Sequence, residues 1–473
     1  MLCGANSLDR LPECLSRIQH RGPDELAIWS EGGVALGFAR LSINGTEDTG
    51  RQPYFFGGLV GAFNGEIYNH QELALRYSLA PSSCDTHVIL PLFEQLGSRL
   101  IDHLDGFYSG VILRHGEHDA YCLRDHMGKK PLFVGVSCGD VFITSELKAL
   151  DAIDWFEPLP RGCSRVNLNT GDITVLADHS SKPPTSEVFD LLSSSVQKRM
   201  PAPEQPVGVF LSGGLDSSLI ASFTSRLRDD VTYFTLGADH GPDRQAVDEV
   251  VKSLGLRDVR VVPLPAAEQL PELVSAIVYA TESYNPSVIS NGLATYLLAM
   301  AAREAGIKVV LTGEGADELF GGYHQFQEHE PWDKTRKQLI NDMQFTELRR
   351  LDLACMAQGV EARCPFLDAE LRSLSDGLDF HQLYSCDENK VTLRRSFEGA
   401  VPEAILHRRK TSCDVGSGIR GMVVRLLRSN GRSEREELLS IWKRHFDYDY
   451  SHPYFHEYPV FDHFIDGRGE AHR

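Results

Sequence analysis

Hydrophobic and polar positions change rhythm near residue 180. Before it lie short apolar runs of strand character: Gly33–Phe38, Leu59–Phe63, Gly110–Leu113 and Asp140–Thr144, each bounded by glycine or polar residues. Two helical patterns, near Leu8–Gln19 and Thr86–Leu96, interrupt them, which predicts sheets packed with helices and not a βαβ repeat. Ser180–Ser186, rich in Pro and Ser, predicts a boundary between a domain at 1–180 and one at 187–473. Beyond it, Glu187–Met200 predicts an amphipathic helix with Val188, Leu191, Leu192, Ser195 and Val196 inward. Strand and helix patterns then alternate. Val207–Leu211 predicts a buried strand, Ser212-Gly213-Gly214 a tight turn and Leu219–Arg228 a helix. Val231–Leu236, Arg257–Leu264 and Ile307–Leu311 predict further strands, with a helix over Gln245–Leu254. That alternation predicts a parallel, doubly wound α/β sheet with ligands at the carboxyl ends of its strands.

Two strand ends carry unusual chemistry. After Leu211 comes Ser212-Gly213-Gly214-Leu215-Asp216-Ser217-Ser218. Glycines let backbone N–H groups approach phosphate oxygens, and a helix N-terminus adds partial positive charge. Ser212, Ser217 and Ser218 can donate from hydroxyls, and Asp216 can hold a Mg²⁺ that phosphate also binds. After Leu311 comes Thr312-Gly313-Glu314-Gly-Ala-Asp317-Glu318. Asp317 can join Asp216 on the metal, and Glu314 can take a proton from an attacking amine. The plain alternatives are a Ser/Gly turn and dipole-favoured acids at a helix start. The full SGGLDSS run after a strand favours chemistry: it resembles the pyrophosphate-binding loop of PP-loop ATP pyrophosphatases, which split ATP into AMP and pyrophosphate. No Gly-Lys-Ser/Thr follows, so it is not a Walker A loop.

The chain has 473 residues, with 66 Asp and Glu against 47 Lys and Arg, a formal charge of −19. This excess argues against general affinity for nucleic acid or anionic membrane. The ten cysteines form no CxxC pair and read as reduced thiols of a cytoplasmic enzyme. No signal segment or membrane-length apolar run is evident.

Polar motifs sit at the strand ends of the first half. They are Cys3-Gly4, His20-Arg-Gly-Pro-Asp24, Arg40-Leu-Ser-Ile43, Gln52-Pro53, Asn64-Gly-Glu-Ile-Tyr-Asn69, Asp85, Arg124-Asp-His-Met-Gly128 and Ser145–Leu150. In this order they resemble the class II glutamine amidotransferase domain, an N-terminal-nucleophile fold with an αββα core. The resemblance implies Cys3 as nucleophile, its own α-amine as base, and Asn64 and Gly65 as oxyanion hole. It implies that Arg40 pairs with the glutamine α-carboxylate and that Ile43, Asn64, Glu66 and Asp85 complete the glutamine site. The family's cysteine directly follows Met, whereas Leu2 intervenes here. A peptide nitrogen is no base, because its lone pair is delocalised. Glutamine use therefore predicts a mature chain starting at Cys3, with ammonia-only activity as the alternative.

The second half, from about Val188 to Gly418, resembles the synthetase domain of glutamine-dependent asparagine synthetases. That likeness adds Gly359–Asp368, Lys390–Arg394 and Arg408-Arg-Lys410. It implies ATP contacts from Leu211, Ser212, Gly213, Gly214, Asp216, Ser217, Ser218, Leu236, Thr312, Gly313 and Lys390. Lys410 is implied to steady the phosphate of the adenylated intermediate, and Asp216 with Asp317 to hold Mg²⁺. The implied partners are glutamine, aspartate and ATP, with a homodimer compatible. Asp352-Leu353 stands where many members have Asp-Arg, so another acceptor acid stays open, as in β-lactam-forming and peptide-cyclising relatives. A non-catalytic binding protein is the remaining rival, disfavoured by the intact SGGLDSS, GEGADE and NGE runs.

Overall fold

The computed structural model describes residues 1–5, 9–45, 48–237, 242–323, 332–409 and 411–458. The chain divides into two compact units: Met1–Ser180 with Phe446–Tyr448, and Ser181–His445 with Asp449–Arg473.

The first unit is built on strands β1 (Leu2–Ala5), β2 (Glu25–Glu31), β3 (Val34–Arg40), β4 (Tyr54–Phe56), β5 (Leu59–Ile67) and β6 (Gly106–Arg114). They are followed by β7 (Asp119–Arg124), β8 (Phe133–Ser137), β9 (Asp140–Thr144), β10 (Trp155–Pro158), β11 (Gly162–Asn167) and β12 (Ile173–Ala177). One sheet runs β10-β8-β9-β1-β3-β2 and the other β12-β11-β7-β6-β5-β4. Side chains from both sheets, among them Leu36, Val60, Val111, Val134 and Ile143, meet in a shared core. The outer faces are covered by helices. Leu11, Cys14 and Leu15 of α1 (Leu11–Arg17) pack on Ala35, Ala39 and Phe142. Leu73 of α2 (His70–Arg76) and Ile89, Leu92 and Phe93 of α3 (Ile89–Leu96) pack on Leu59, Phe63 and Ile112. The layers are αββα, as the motif order implied. Within β3, alternation sends Leu36 to the shared core and Ala35 and Ala39 to α1, which is why both of its faces are apolar. The helix predicted over Leu8–Gln19 is shorter: α1 opens at Leu11, with Pro12 in a first turn that needs no N–H from it.

The second unit opens on α4 (Val188–Arg199) and carries one parallel sheet. Its strands are β13 (Val207–Phe210), β14 (Thr232–Leu236), β15 (Asp258–Val262), β16 (Val309–Leu311) and β17 (Glu361–Arg363), in the order β15-β14-β13-β16-β17. That is a doubly wound sheet, and chain order reverses between β13 and β16. Helices α5 (Leu215–Leu227), α6 (Pro242–Leu254), α7 (Leu270–Thr281), α8 (Pro286–Glu304), α9 (Ala316–Phe320), α10 (Trp332–Asp342) and α11 (Glu347–Met356) follow in chain order. Helix α8 buries residues on nearly every face, so it is an interior helix. Asn285 caps it, accepting from the N–H of Ser287 at 2.9 Å. Helix α5 begins four residues before the predicted Leu219. Gly214 is extended and serves as N-cap, so Asp216, Ser217 and Ser218 form the first turn instead of a loop. An acid in that turn is favoured by the helix dipole. No helix among the described residues is long and apolar enough to cross a membrane.

Candidate functional site

β13 and β16 are paired neighbours, so the loops leaving their carboxyl ends face each other at the switch point. They touch: a Cβ on Gly313 would stand 2.8 Å from both the Asp216 Cβ and the Ser217 nitrogen. Beside this contact lies a cavity of about 310 Å³. Lys390 reaches it from a left-handed backbone, with φ 55. Its Nζ lies 2.6 Å from Asp216 Oδ2 and 2.6 Å from Asp317 Oδ1. One buried ammonium thus holds together two carboxylates on different loops.

Most of the expected nucleotide residues share this cavity. Leu211, Ser212, Gly214, Asp216 and Ser217 line it from the first loop, and Leu236 from the end of β14. Thr312, Gly313, Glu314 and Asp317 line it from the second loop, and Lys390 from before Val391. Gly213 and Ser218 are not in the lining. Gly213 has φ 72 and backs onto α6, where a Cβ would meet the Val247 nitrogen at 2.8 Å. The buried Ser218 hydroxyl donates to the Gly214 carbonyl at 2.7 Å. Both therefore shape the loop, because the early start of α5 turns Ser218 inward. Lys410 lies outside the described residues.

Further side chains in the lining had no site role in the sequence reading, among them Arg350, Glu347, Tyr458, Tyr323 and Arg408. Arg350 donates to Glu314 Oε1 at 2.6 Å and to Thr295 Oγ1 at 2.9 Å. Burial opposes the Arg350 charge, but Glu314 and Glu347 hold the guanidinium firmly protonated. Glu347, one turn earlier on α11, is buried and accepts from the Thr346 hydroxyl and from the Tyr458 hydroxyl. Burial pushes its carboxyl up to about 7; the Thr346 bond opposes this and the nearby Glu314 charge adds to it. Behind it, burial and then Glu347, Asp317 and Glu314 push Glu318 well above the usual carboxylate range. Tyr323 donates to Glu318 at 2.7 Å. Arg408 completes the rim, donating to the Ser212 carbonyl at 3.3 Å and to Asp243 Oδ1 at 2.5 Å. A Glu347–Arg350 pair at i,i+3 on an otherwise buried helix was the available signal. The expected base, Glu314, is engaged by Arg350 in this arrangement.

In the first unit, β5 carries Asn64, Gly65 and Glu66. Gly65 has φ 121, and a Cβ there would stand 2.0 Å from the Phe107 carbonyl oxygen, so only glycine fits. Asn64 Nδ2 is buried and finds no acceptor among the described residues. Glu66 Oε2 accepts from Asn44 Nδ2 at 2.5 Å, which ties the Ile43 loop to β5. Asp85 Oδ2 accepts from the Ile67 N–H at 2.6 Å and brings the third segment in. Arg40, at the end of β3, donates to Glu25 at 3.3 Å and to the Gly45 carbonyl. Arg40, Ile43, Glu66 and Asp85 are all buried.

Cys3 stands differently. It lies in register with Leu36 and Ile143 on the central strand β1, within the apolar core between the sheets. Burial pushes its thiol up to about 12. No hydrogen bond or ion pair joins it to Asn64 or Arg40 among the described residues. The Met1 amine, 3.4 Å from Ser145 Oγ, is driven down to about 5 by burial and by Arg21, against the pull of Glu146. Glu146 is itself fully buried; burial alone would raise it, but Lys148, His20 and Arg21 hold it well below the usual range.

A doubly wound sheet with paired carboxylates and a Ser-Gly-Gly loop at its switch point, joined to an αββα sandwich, defines a two-domain ATP-pyrophosphatase amidotransferase. Known sequences agree. The asparagine synthase family matches residues 187–344 and 328–449, and the glutamine amidotransferase domain matches residues 3–160. A probable glutamine-hydrolysing asparagine synthetase of Acanthamoeba polyphaga mimivirus is 30% identical over 84% of this chain and 80% of its own length. The glutamine-hydrolysing asparagine synthetase of Brassica oleracea is 31% identical over 86% and 75%. Asparagine synthetase B of Escherichia coli K12 is 31% identical over 85% and 78%. The chain belongs to the asparagine synthase family.

Proposed function

We propose that the protein is a glutamine-hydrolysing asparagine synthetase, an ATP-dependent carbon–nitrogen ligase. The observation that carries this reading is the meeting of the Ser212–Ser218 and Thr312–Glu318 loops across Lys390 in one cavity. The first-loop amides and the α5 N-terminus suit the pyrophosphate of ATP. The aspartate β-carboxylate attacks the α-phosphorus and pyrophosphate leaves. Ammonia then attacks the acyl carbon, AMP leaves, and the amide remains. Lys390 and Arg408 offset the phosphate charge that develops when pyrophosphate departs. Asp216 and Asp317 fit Mg²⁺, which takes one or two carboxylates together with substrate phosphates. When bound there, it would neutralise pyrophosphate charge. Glutamine binding is assigned to Arg40, Ile43, Asn64, Glu66 and Asp85, oxyanion stabilisation to Asn64 and Gly65, and the nucleophilic thiol to Cys3. Lys410 is assigned to the phosphate of the intermediate, on its motif alone.

Product analysis of ATP, Mg²⁺ and aspartate with either glutamine or ammonium tests this reading. Asparagine, AMP and pyrophosphate in equal amounts support it. ADP and phosphate, or silence with aspartate beside turnover of another acid, overturn it.

A further inference from the structure

The Tyr458 hydroxyl donates to Glu347 Oε1, and both residues line the cavity beside Arg350 and Glu314. Tyr458 is held there by its backbone. Three successive carbonyls just before it are each taken by a donor that is a chain neighbour of, or lies within three residues of, a cavity-lining residue of α8 or α11. Arg349 donates to Tyr454 and lies 3.6 Å from that ring's centroid. The Tyr284 N–H donates to Phe455 at 2.9 Å, and Asn285 Nδ2 donates to His456 at 2.8 Å. Asn285 also caps α8, whose first turn lines the same cavity through Ser287 and Val288. Segment, helix start and cavity wall are therefore one built unit.

The charges at this place do not balance as a phosphate site would. Among the described residues, the guanidinium that faces both Glu314 and Glu347 is that of Arg350. Arg350 is consumed by Glu314 at 2.6 Å, while the partners of Glu347 are hydroxyls, Thr346 and Tyr458. A carboxylate in this setting has capacity for one more cation. An amino-acid acceptor brings one in its α-ammonium group; a plain dicarboxylate does not.

We propose that Tyr458 is a positioning residue for the acceptor, holding Glu347 so that its carboxylate receives the α-ammonium group of an amino-acid substrate. This rests on the acceptor being an amino acid such as aspartate. The groups that face Glu347 are Glu314 and Arg350, Glu318 and Tyr323 behind it, and Tyr458 from the C-terminal segment. Recognition needs the ionised carboxylate, so KM for aspartate falls as pH rises through about 7, the value to which burial pushes Glu347. The Tyr458 hydroxyl favours the ionised form. Its removal moves the fall upward by about one pH unit.

The test uses the full chain and its Tyr458→Phe variant, which keeps the ring and loses only the donor. Aspartate-dependent pyrophosphate release is measured from pH 6 to 9 with ammonium, and succinate serves as the acceptor lacking the ammonium group. The expected result is about a tenfold rise in aspartate KM near neutrality with kcat nearly unchanged, a displaced pH profile, and weaker preference for aspartate over succinate. Glu347→Gln should abolish the pH dependence. Wild-type release with an undisplaced profile in Tyr458→Phe overturns this proposal and leaves the proposed function standing. Absence of aspartate-dependent release in the wild type overturns both.

Discussion

Lys390 holds φ 55, a conformation a non-glycine residue keeps only when its surroundings impose it. Here they do: the ammonium must reach Asp216 and Asp317 at once. Lys390→Met leaves the half-buried Asp216 and the buried Asp317 carboxylates without the ammonium between them. Pyrophosphate release should fall by about 10²-fold or more while far-ultraviolet circular dichroism stays native. Cys3 gives a second prediction. A thiol near 12 is almost wholly protonated at neutral pH, and its nitrogen is a peptide nitrogen while Met1 and Leu2 are attached. Protein shown by intact mass to keep both residues should make amide from ammonium and not from glutamine. Cys3→Ala should leave its ammonium activity unchanged. Asp342 gives a third. Burial pushes its carboxyl up to about 6 against the Gln338 bond, and Oδ2 finds no donor among the described residues. The unfolded value is about 3.9, so the folded state binds more protons between roughly pH 4 and 6. Stability contributed by this group is therefore lost as pH rises through that window. In Asp342→Asn this loss should disappear, read as urea midpoints at pH 4, 5, 6 and 7.

At the scale of elements, contiguous motifs were legible and packed ones were not. Ser212–Ser218 and Thr312–Glu318 each follow a strand, so sequence order alone places them at strand ends, and the parallel sheet makes them neighbours. Glu347, Arg350 and Tyr458 come from a helix and a C-terminal segment far apart in sequence, brought together by contacts such as those of Arg349 with Tyr454 and of Glu347 with Tyr458. No local pattern encodes that meeting. The burial of Cys3 likewise follows from its register opposite Leu36 and Ile143, which motif order does not contain. The helix expected from Leu219 starts at Leu215, because Gly214, the last residue of the expected turn, already caps it and Asp216, Ser217 and Ser218 fall in its first turn. Gly65 shows how tightly one element constrains a residue. With φ 121 and a neighbouring carbonyl where a Cβ would be, Gly65→Ala should cost about 2–4 kcal/mol in the first unit, by strain and displacement of β6. Chemical denaturation with a probe in that unit checks this. A loss under 1 kcal/mol would mean the strand relaxes freely.

Across the molecule, two architectures with different rules lie on one chain. The first unit pairs its strands antiparallel, and the second is wholly parallel. The neighbours β13 and β16 that frame the switch-point cavity, the proposed nucleotide site, are about 100 residues apart in sequence. A ribosome emitting roughly 5–20 residues each second delivers the Ser-Gly-Gly loop several seconds before its facing carboxylate loop. During that interval β13 can pair with β14, but no ATP site exists. Nucleotide is therefore a witness to late assembly: it can rescue a chain that has closed its sheet, and it has nothing to grip on one that has not.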